Sequence, residues 1–251
     1  INNIEFTIND YNDILSAMTT HSFDEVRLFI YKKNHYYKQC LDLYLNEDSE
    51  IKDKRESFFP FINMTLIKLK TQKGQDQQVF YDFKTAVMNN LIRIGEINID
   101  ELHNLINTWF THEKKEVINK LSDKPEIQLI YVEILVKKII NNLKENEGTA
   151  VDEDPDWVEA ILKLHLKLLC FLNKKDKILS WLKECPLYPI SDSLELCIRC
   201  HVDDATIYLY QKAGYVDKAL QLCLQLLVND NNKILGILRA NEFSENSYEL
   251  S

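Results

Sequence analysis

The sequence predicts an all-α protein, an irregular α-solenoid of stacked helical hairpins, and three observations predict it. The chain has only 5 Gly and 5 Pro in 251 residues, a glycine content far below the roughly 7% of ordinary domains. Sheet-rich and phosphate-cradling proteins need turn glycines, whereas stacked helices do not. Apolar side chains recur at three- and four-residue spacing along most of the chain, the period of a helix with one buried face. Segments of this kind follow one another through short polar turns, and no single segment can bury its stripe alone. Neighbours must therefore stack into a continuous core.

The clearest hairpins lie in Pro189–Leu227. Three short amphipathic helices are expected there, over 191–200, 203–212 and 215–227. Ser191 and Asp203 stand where N-cap acceptors belong, and Gly214 stands where a left-handed C-cap conformation is needed. Ala205, Ala213 and Ala219 flank the turns with side chains small enough for close helix approach.

The rest of the chain follows in order. Residues 1–22 form an irregular leading segment rich in Asn, Asp and Thr. A helix from Phe23 places Val26, Phe29 and Ile30 on one face, and its partner over 36–45 buries Tyr37, Cys40, Leu41, Tyr44 and Leu45. A helix over 54–69 buries Phe58, Phe61, Ile62, Thr65, Leu66 and Leu69, with Pro60 starting or kinking it. After a polar loop at 71–78, a helix over 79–94 turns Phe80, Phe83, Val87, Leu91 and Ile94 inward and is capped by Gly95. Asp100 is expected to cap a helix to Phe110 that buries Leu102, Leu105, Ile106 and Trp109. A short helix follows over 113–121.

Pro125 opens the next helix at its first turn, burying Ile127, Ile130, Tyr131, Ile134, Leu135 and Ile139. The acidic stretch 144–156 (KENEGTAVDEDPD) reads as a loop between a first solenoid part, 23–143, and a second, 157–240. In the second part a helix over 157–171 buries Val158, Ile161, Leu162, either Leu164 or His165, Leu168 and Leu169. Its partner spans 177–185. After Leu227, Asn229–Asn232 is expected to turn the chain into a last helix over 233–239, and 241–251 to fray.

The formal net charge of −9 excludes the basic footprint of a nucleic-acid binder and the polybasic cluster that docks on anionic lipid. No apolar run reaches the length that spans a bilayer, so neither nucleic acid nor direct membrane insertion is expected. The opening INNIEF lacks a starting Met and a signal-peptide profile. A segment of a longer chain is expected, in a reducing, cytosolic setting that suits 6 scattered Cys.

Several constellations carry potential chemistry. Cys197-Ile198-Arg199-Cys200-His201 spells the CxxCH haem-attachment pattern, but both thiols fall on an amphipathic helix, where cysteine packs as a small hydrophobe. Cys185, Cys197, Cys200 and Cys223 could in principle bind zinc, yet only one close pair exists where structural sites use two. His165 with Cys170, His103 with Glu101 and His112 with Glu113 lack the third orienting group of a nucleophilic centre. No phosphate-binding glycine motif occurs, and the acidic run Asp152-Glu153-Asp154 lacks the EF-hand pattern. No catalytic, cofactor-binding or metal-binding residue is expected.

One resemblance adds to this reading. Asp204-Ala205-Thr206, Tyr208-Leu209, Lys212-Ala213-Gly214 and Lys218-Ala219-Leu220, following a helix that ends on cysteine, resemble the clathrin heavy-chain-type repeat of vacuolar sorting proteins. Leu164–Leu172 (LHLKLLCFL) with Lys177–Leu182 (KILSWL) and Tyr188 resembles the preceding repeat, and Tyr36–Leu45 (YYKQCLDLYL) an earlier one. The resemblance covers most of 24–228 and is most specific in 157–228. It implies a non-catalytic scaffold segment of an endosomal membrane-tethering subunit, peripheral on endosomes, in the CORVET complex. The partners it implies are the other CORVET core subunits (the class C vacuolar sorting proteins). An early-endosomal Rab GTPase would bind through a domain outside this chain. A helical-repeat subunit of the related HOPS complex or of a clathrin-like coat is the alternative, with a redox or metal protein built on Cys197, Cys200 and His201 a third.

Overall fold

The computed structural model describes residues 23–71, 77–145 and 154–245. Among them are thirteen α-helices, three short 3-10 segments and no strand. The helices pack as successive hairpins, as an all-α solenoid requires. The chain divides into two compact units, Ile1–Tyr131 and Val132–Ser251.

In the first unit, α1 (Asp24–Lys33) and α2 (Tyr37–Leu45) form the opening hairpin. The whole expected stripe of α2 is buried, with Leu43 in addition. In α1 the inward residues are Asp24, Leu28 and Ile30, while Val26 and Phe29 are exposed. The expectation for those two was wrong, because the turn at 34–36 rotates a different face of α1 onto α2.

A 3-10 segment, Glu50–Ser57, leads into α3 (Phe58–Thr71), and Pro60 lies in the first turn of α3, where its missing N–H costs nothing. All six predicted core positions of α3 are buried. Tyr44 joins Phe58 and Phe61 at ring-centroid distances of 5.4 Å each, and Phe83 continues the chain of rings to Phe61 and Tyr37. Each such ring removes a large apolar area from water, so this cluster supplies much of the unit's cohesion.

The single helix expected over 79–94 is two, α4 (Gln77–Asn89) and α5 (Leu91–Ile97), broken at Asn90, whose amide bonds back to the Ala86 carbonyl. Gly95 is no cap: it sits buried inside α5. The cap of α6 (Ile99–Trp109) is Asn98, not Asp100. Its side-chain oxygen accepts from the Asp100 and Glu101 backbone N–H groups, satisfying two orphan donors of the first turn. Leu102, Leu105 and Ile106 are buried, and the Trp109 indole N–H donates to Asn63 on α3 at 2.9 Å. The unit continues through α7 (Lys114–Lys120) into α8 (Pro125–Glu145), where Pro125 stands at the first turn as expected. Tyr131, Leu135 and Ile139 are buried, but Ile130 is exposed and Leu129, Val132 and Val136 take the inward places.

The second unit comprises the later part of α8, then α9 (Pro155–Phe171), α10 (Ile178–Glu184), α11 (Ile190–Arg199), α12 (Asp203–Lys212) and α13 (Val216–Glu245). Asp154 caps α9 by accepting from the Asp156 N–H. Ser191 and Asp203 are not caps: the N-cap positions belong to Pro189 and Val202, and neither gives a side-chain cap bond. Pro189 already holds φ at −66°, so α11 begins two residues earlier than a Ser191 cap would place it. No turn interrupts 229–232; α13 runs on to Glu245, since asparagine merely weakens a helix and no proline stops it. The leading segment 1–22, residues 72–76 of the polar loop, residues 146–153 of the acidic stretch (Asp152 and Glu153 among them) and residues 246–251 lie outside the described residues.

Four helix ends share one geometry. Gly214 has φ of 81°, as its position predicts, and His35, Asn173 and His201 adopt the same left-handed conformation at 62°, 55° and 55°. In each, the following residue's N–H reaches back to a carbonyl five residues earlier: Tyr36 to Tyr31, Lys174 to Leu169, Val202 to Cys197 and Tyr215 to Tyr210. The left-handed residue itself bonds three residues back, which completes the Schellman pattern and satisfies two orphan carbonyls. The residue that closes one helix also stands as N-cap of the next element, so each corner needs only three non-helical positions.

Candidate functional site

The Cys-His constellation is dispersed by these helix ends. Cys197 is fully buried on α11, while Cys200 occupies the C-cap and His201 the exposed left-handed position beyond it. Cys197 and Cys200 are thus presented in different environments, and His201 points from a turn. Cys185 is buried at the end of α10 and Cys223 is half-buried on α13. Among the described residues no three His, Cys, Asp or Glu side chains converge as metal ligands.

Cys170, at the last turn of α9, is the neighbour that spacing did not reveal. Its thiol shares a hydrogen bond with Cys200, and burial, then that bond, pushes its pKa up to about 12. Cys197 is likewise pushed to about 12 by burial. These thiols therefore rest protonated, and the thiolate that does nucleophilic or metal chemistry is disfavoured.

His165 is the inward residue of α9, completely buried; Leu164 is half-buried. Its Nδ1 lies 2.7 Å from the Tyr188 hydroxyl, and its ring meets Trp181 edge to face at 4.8 Å. Burial, reinforced by Lys177, lowers its pKa to about 4, so the imidazole is neutral at physiological pH. Burial also raises the Tyr188 pKa above its ordinary value. A neutral histidine sealed between two aromatic side chains joins α9, α10 and the 185–189 turn as a polar pin in the core. His103 contacts Asn107 through Nε2 and packs near the Tyr131 ring.

Beside this pin, Lys163 bridges Glu159 on its own helix and Asp192 on α11, each at 2.6 Å. Hydrogen bonds to Asp192, then to Glu159, raise its pKa above the ordinary lysine value. The cavity of about 140 Å³ next to it is lined by Lys163, Lys167 and Arg199 together with Asp192 and Glu195.

The surface that stands out belongs to α13. Ala219 is buried against α12, with Leu222, Cys223 and Leu226 half-buried around it. On one flank Val216, Leu220, Leu224, Leu227 and Val228 are each more than half exposed, at the three- and four-residue spacing of a second buried face. On the opposite flank stand Lys218, Gln221, Gln225 and Asn229. Sequence periodicity located the helix but not this exposed apolar flank. The signal available was the run Ala219-Leu220-Gln221-Leu222-Cys223-Leu224-Gln225-Leu226-Leu227, which is apolar on too many sides for a helix with a single neighbour.

No helix of the described residues is long and apolar enough to cross a membrane. No known family profile matches the chain, and no solved structure matches it. Over 207 residues, 82% of this chain, it is 20% identical to the mouse protein named vacuolar protein sorting-associated protein 8 homolog. The match takes in 13% of that protein's length. The chain is thus similar to a segment of a vacuolar sorting protein.

Proposed function

We propose that this chain is a non-catalytic scaffold segment of an endosomal tethering subunit, a counterpart of part of the mouse vacuolar sorting protein. The exposed apolar flank of α13 carries this reading. Five large apolar side chains on one side of a helix are costly to leave in water, at about 25 cal/mol per Å² of apolar surface. A stripe with that spacing is complementary to the apolar face of another helix, the way each hairpin here already receives its neighbour. The function is then geometric: stacked hairpins hold a docking face at a fixed place, and a partner subunit covers it.

The repeat resemblance specifies the rest of the proposal. The partners are the CORVET core subunits of the class C group, the setting is the cytoplasmic face of endosomes, and Rab recognition lies in a domain outside these residues. The helical hairpins and the similarity to a vacuolar sorting protein support this assignment. The test is co-purification of the tagged chain with core subunits from cells, comparing the parent with Leu220→Glu/Leu224→Glu. Recovery of class C and CORVET-specific subunits by the parent, lost in the double variant, is the expected result. Recovery of HOPS-specific subunits or coat adaptors in their place would replace the CORVET assignment, and equal recovery by both forms would remove α13 as the docking face.

A further inference from the structure

A second surface of the same hairpin is independent of that docking face. The opposite flank of α13, the facing side of α12 and the end of α11 enclose a groove of about 520 Å³. Half-buried Leu222 and Leu226 form its apolar floor, and exposed Ile198 and a row of carboxamides, Gln221, Gln225 and Asn229, stand at its rim. All three carboxamides are exposed, and each offers both donors and an acceptor.

Their spacing is informative. Residues four apart on one helix face recur about every 6 Å along the axis. An extended polypeptide repeats its same-side N–H and C=O groups every second residue, about 6.6–6.8 Å. Carboxamides at this interval can each donate to a carbonyl and accept from an N–H of the same extended strand, while alternate side chains of that strand drop onto the leucine floor. The stretch from Lys218 to Asn229 is roughly 16 Å long at the helical rise, room for about five extended residues.

The ends of the groove differ in charge. Lys218 opens α13 and lies over the Tyr215 ring at 4.9 Å and the Tyr210 ring at 5.9 Å. Asp203 opens α12, which runs back along α13 from the turn at Gly214, so it marks the far end. A single cation balanced by a carboxylate does not suit a polyanion. We propose that this groove binds an extended peptide segment of about five residues, held through its backbone by Gln221, Gln225 and Asn229, with an acidic residue toward Lys218 and a basic residue toward Asp203.

The experiment pans a displayed library of linear heptapeptides on the full 251-residue chain and titrates the enriched sequences as labelled synthetic peptides. Each is measured against the parent, against Gln221→Ala/Gln225→Ala/Asn229→Ala, and against Lys218→Glu/Asp203→Lys. The three carboxamides are solvent-facing and alanine favours a helix, so circular dichroism should be unchanged in the first variant. The expected result is binding to the parent that falls by at least about tenfold in the carboxamide variant. Enriched peptides should carry opposite charges at their two ends and prefer the reversed order in the charge-swapped protein. Replacing alternate peptide amides by esters should weaken binding by a similar factor. No enrichment over background, equal affinity for parent and carboxamide variant, or the same charge order preferred by the parent and the charge-swapped protein would each overturn the proposal.

Discussion

The backbone N–H of Tyr215 donates to the Tyr210 carbonyl at 2.8 Å, and the two rings meet edge to face with centroids 6.4 Å apart. Tyr36 and Tyr31 stand in the same relation at the first corner, at 2.9 Å and 6.2 Å. A hydrogen bond and an aromatic contact thus reinforce one another across the same five-residue span, the hydrophobic closure that commonly accompanies this cap. The conformation depends on the residue between them. At Gly214 an added Cβ would meet nothing within 4 Å, so any penalty there is backbone strain rather than crowding. Gly214→Val is expected to lower stability by about 1–3 kcal/mol, and Gly214→Asn by less, because Asn tolerates the left-handed region. Urea denaturation followed at 222 nm checks both. A Val variant as stable as the parent would refute the role assigned to this corner.

The same corners show what was legible in the sequence. Gly214 announced its turn because glycine is the usual residue there, and the α2 and α3 stripes, from Tyr37 to Leu45 and Phe58 to Leu69, were readable because their buried residues recur at three- and four-residue spacing. His35, Asn173 and His201 adopt the same conformation without the glycine that marks it. The pattern shared by the four is positional, a permissive residue followed by one that is both helix closure and N-cap, and single-residue propensity does not express it. Ser191 and Asp203 misled for the converse reason: good capping side chains lay one or two positions inside helices whose starts were set by Pro189 and by the preceding cap. At the candidate site, periodicity found α13 but could not assign its two flanks. Cys170 and Cys200 come together only because α9 packs on α11, a contact between residues thirty apart in sequence that no local spacing encodes.

The His165–Tyr188 pin predicts a pH dependence. The folded-state pKa of His165 is lowered from 6.5 to about 4, chiefly by burial. The neutral form is the one the fold accepts, so this contribution is complete above the unfolded value and is lost as pH falls through the window between 6.5 and about 4. The loss across that window is on the order of 3 kcal/mol. Thermal unfolding followed from pH 7.5 to 4 should show it, and His165→Phe, which cannot titrate, should flatten that part of the profile. Tyr188→Phe keeps the ring but strips the hydroxyl from a buried Nδ1, and should cost about 1–3 kcal/mol at neutral pH. A parent profile that stays level between pH 6.5 and 4 would show that His165 is not held neutral.

Gly95 predicts an effect of crowding. A Cβ there would come within 3.0 Å of Ile127 Cγ2 and of Leu102 Cδ2, the side chains that α8 and α6 press against α5. Gly95→Ala gains helix propensity worth about 1 kcal/mol against this close approach, so its net change should be small. Gly95→Val adds two methyl groups to the same gap and should destabilise by roughly 1–3 kcal/mol. Chemical denaturation of the two variants side by side separates the causes. If Val were tolerated as well as Ala, α5 would not be packed this closely on Leu102 and Ile127.

The thiols provide a prediction that bears on the redox alternative. Burial pushes Cys40, Cys170 and Cys197 to about 12, and it also raises Cys185. Alkylation requires the thiolate, which at neutral pH is then scarce in the folded protein at four of the six cysteines. Cys40, Cys185 and Cys197 are in addition closed to solvent. Iodoacetamide on the folded chain should therefore modify Cys223 and Cys200 first, with Cys40, Cys185 and Cys197 labelled only at the rate of unfolding. Peptide mapping by mass spectrometry after timed labelling, with and without urea, reads this directly. Rapid native labelling of Cys197 would mean that α11 exposes its inner face, and the packing role assigned to the CxxCH segment would have to give way to a reactive one.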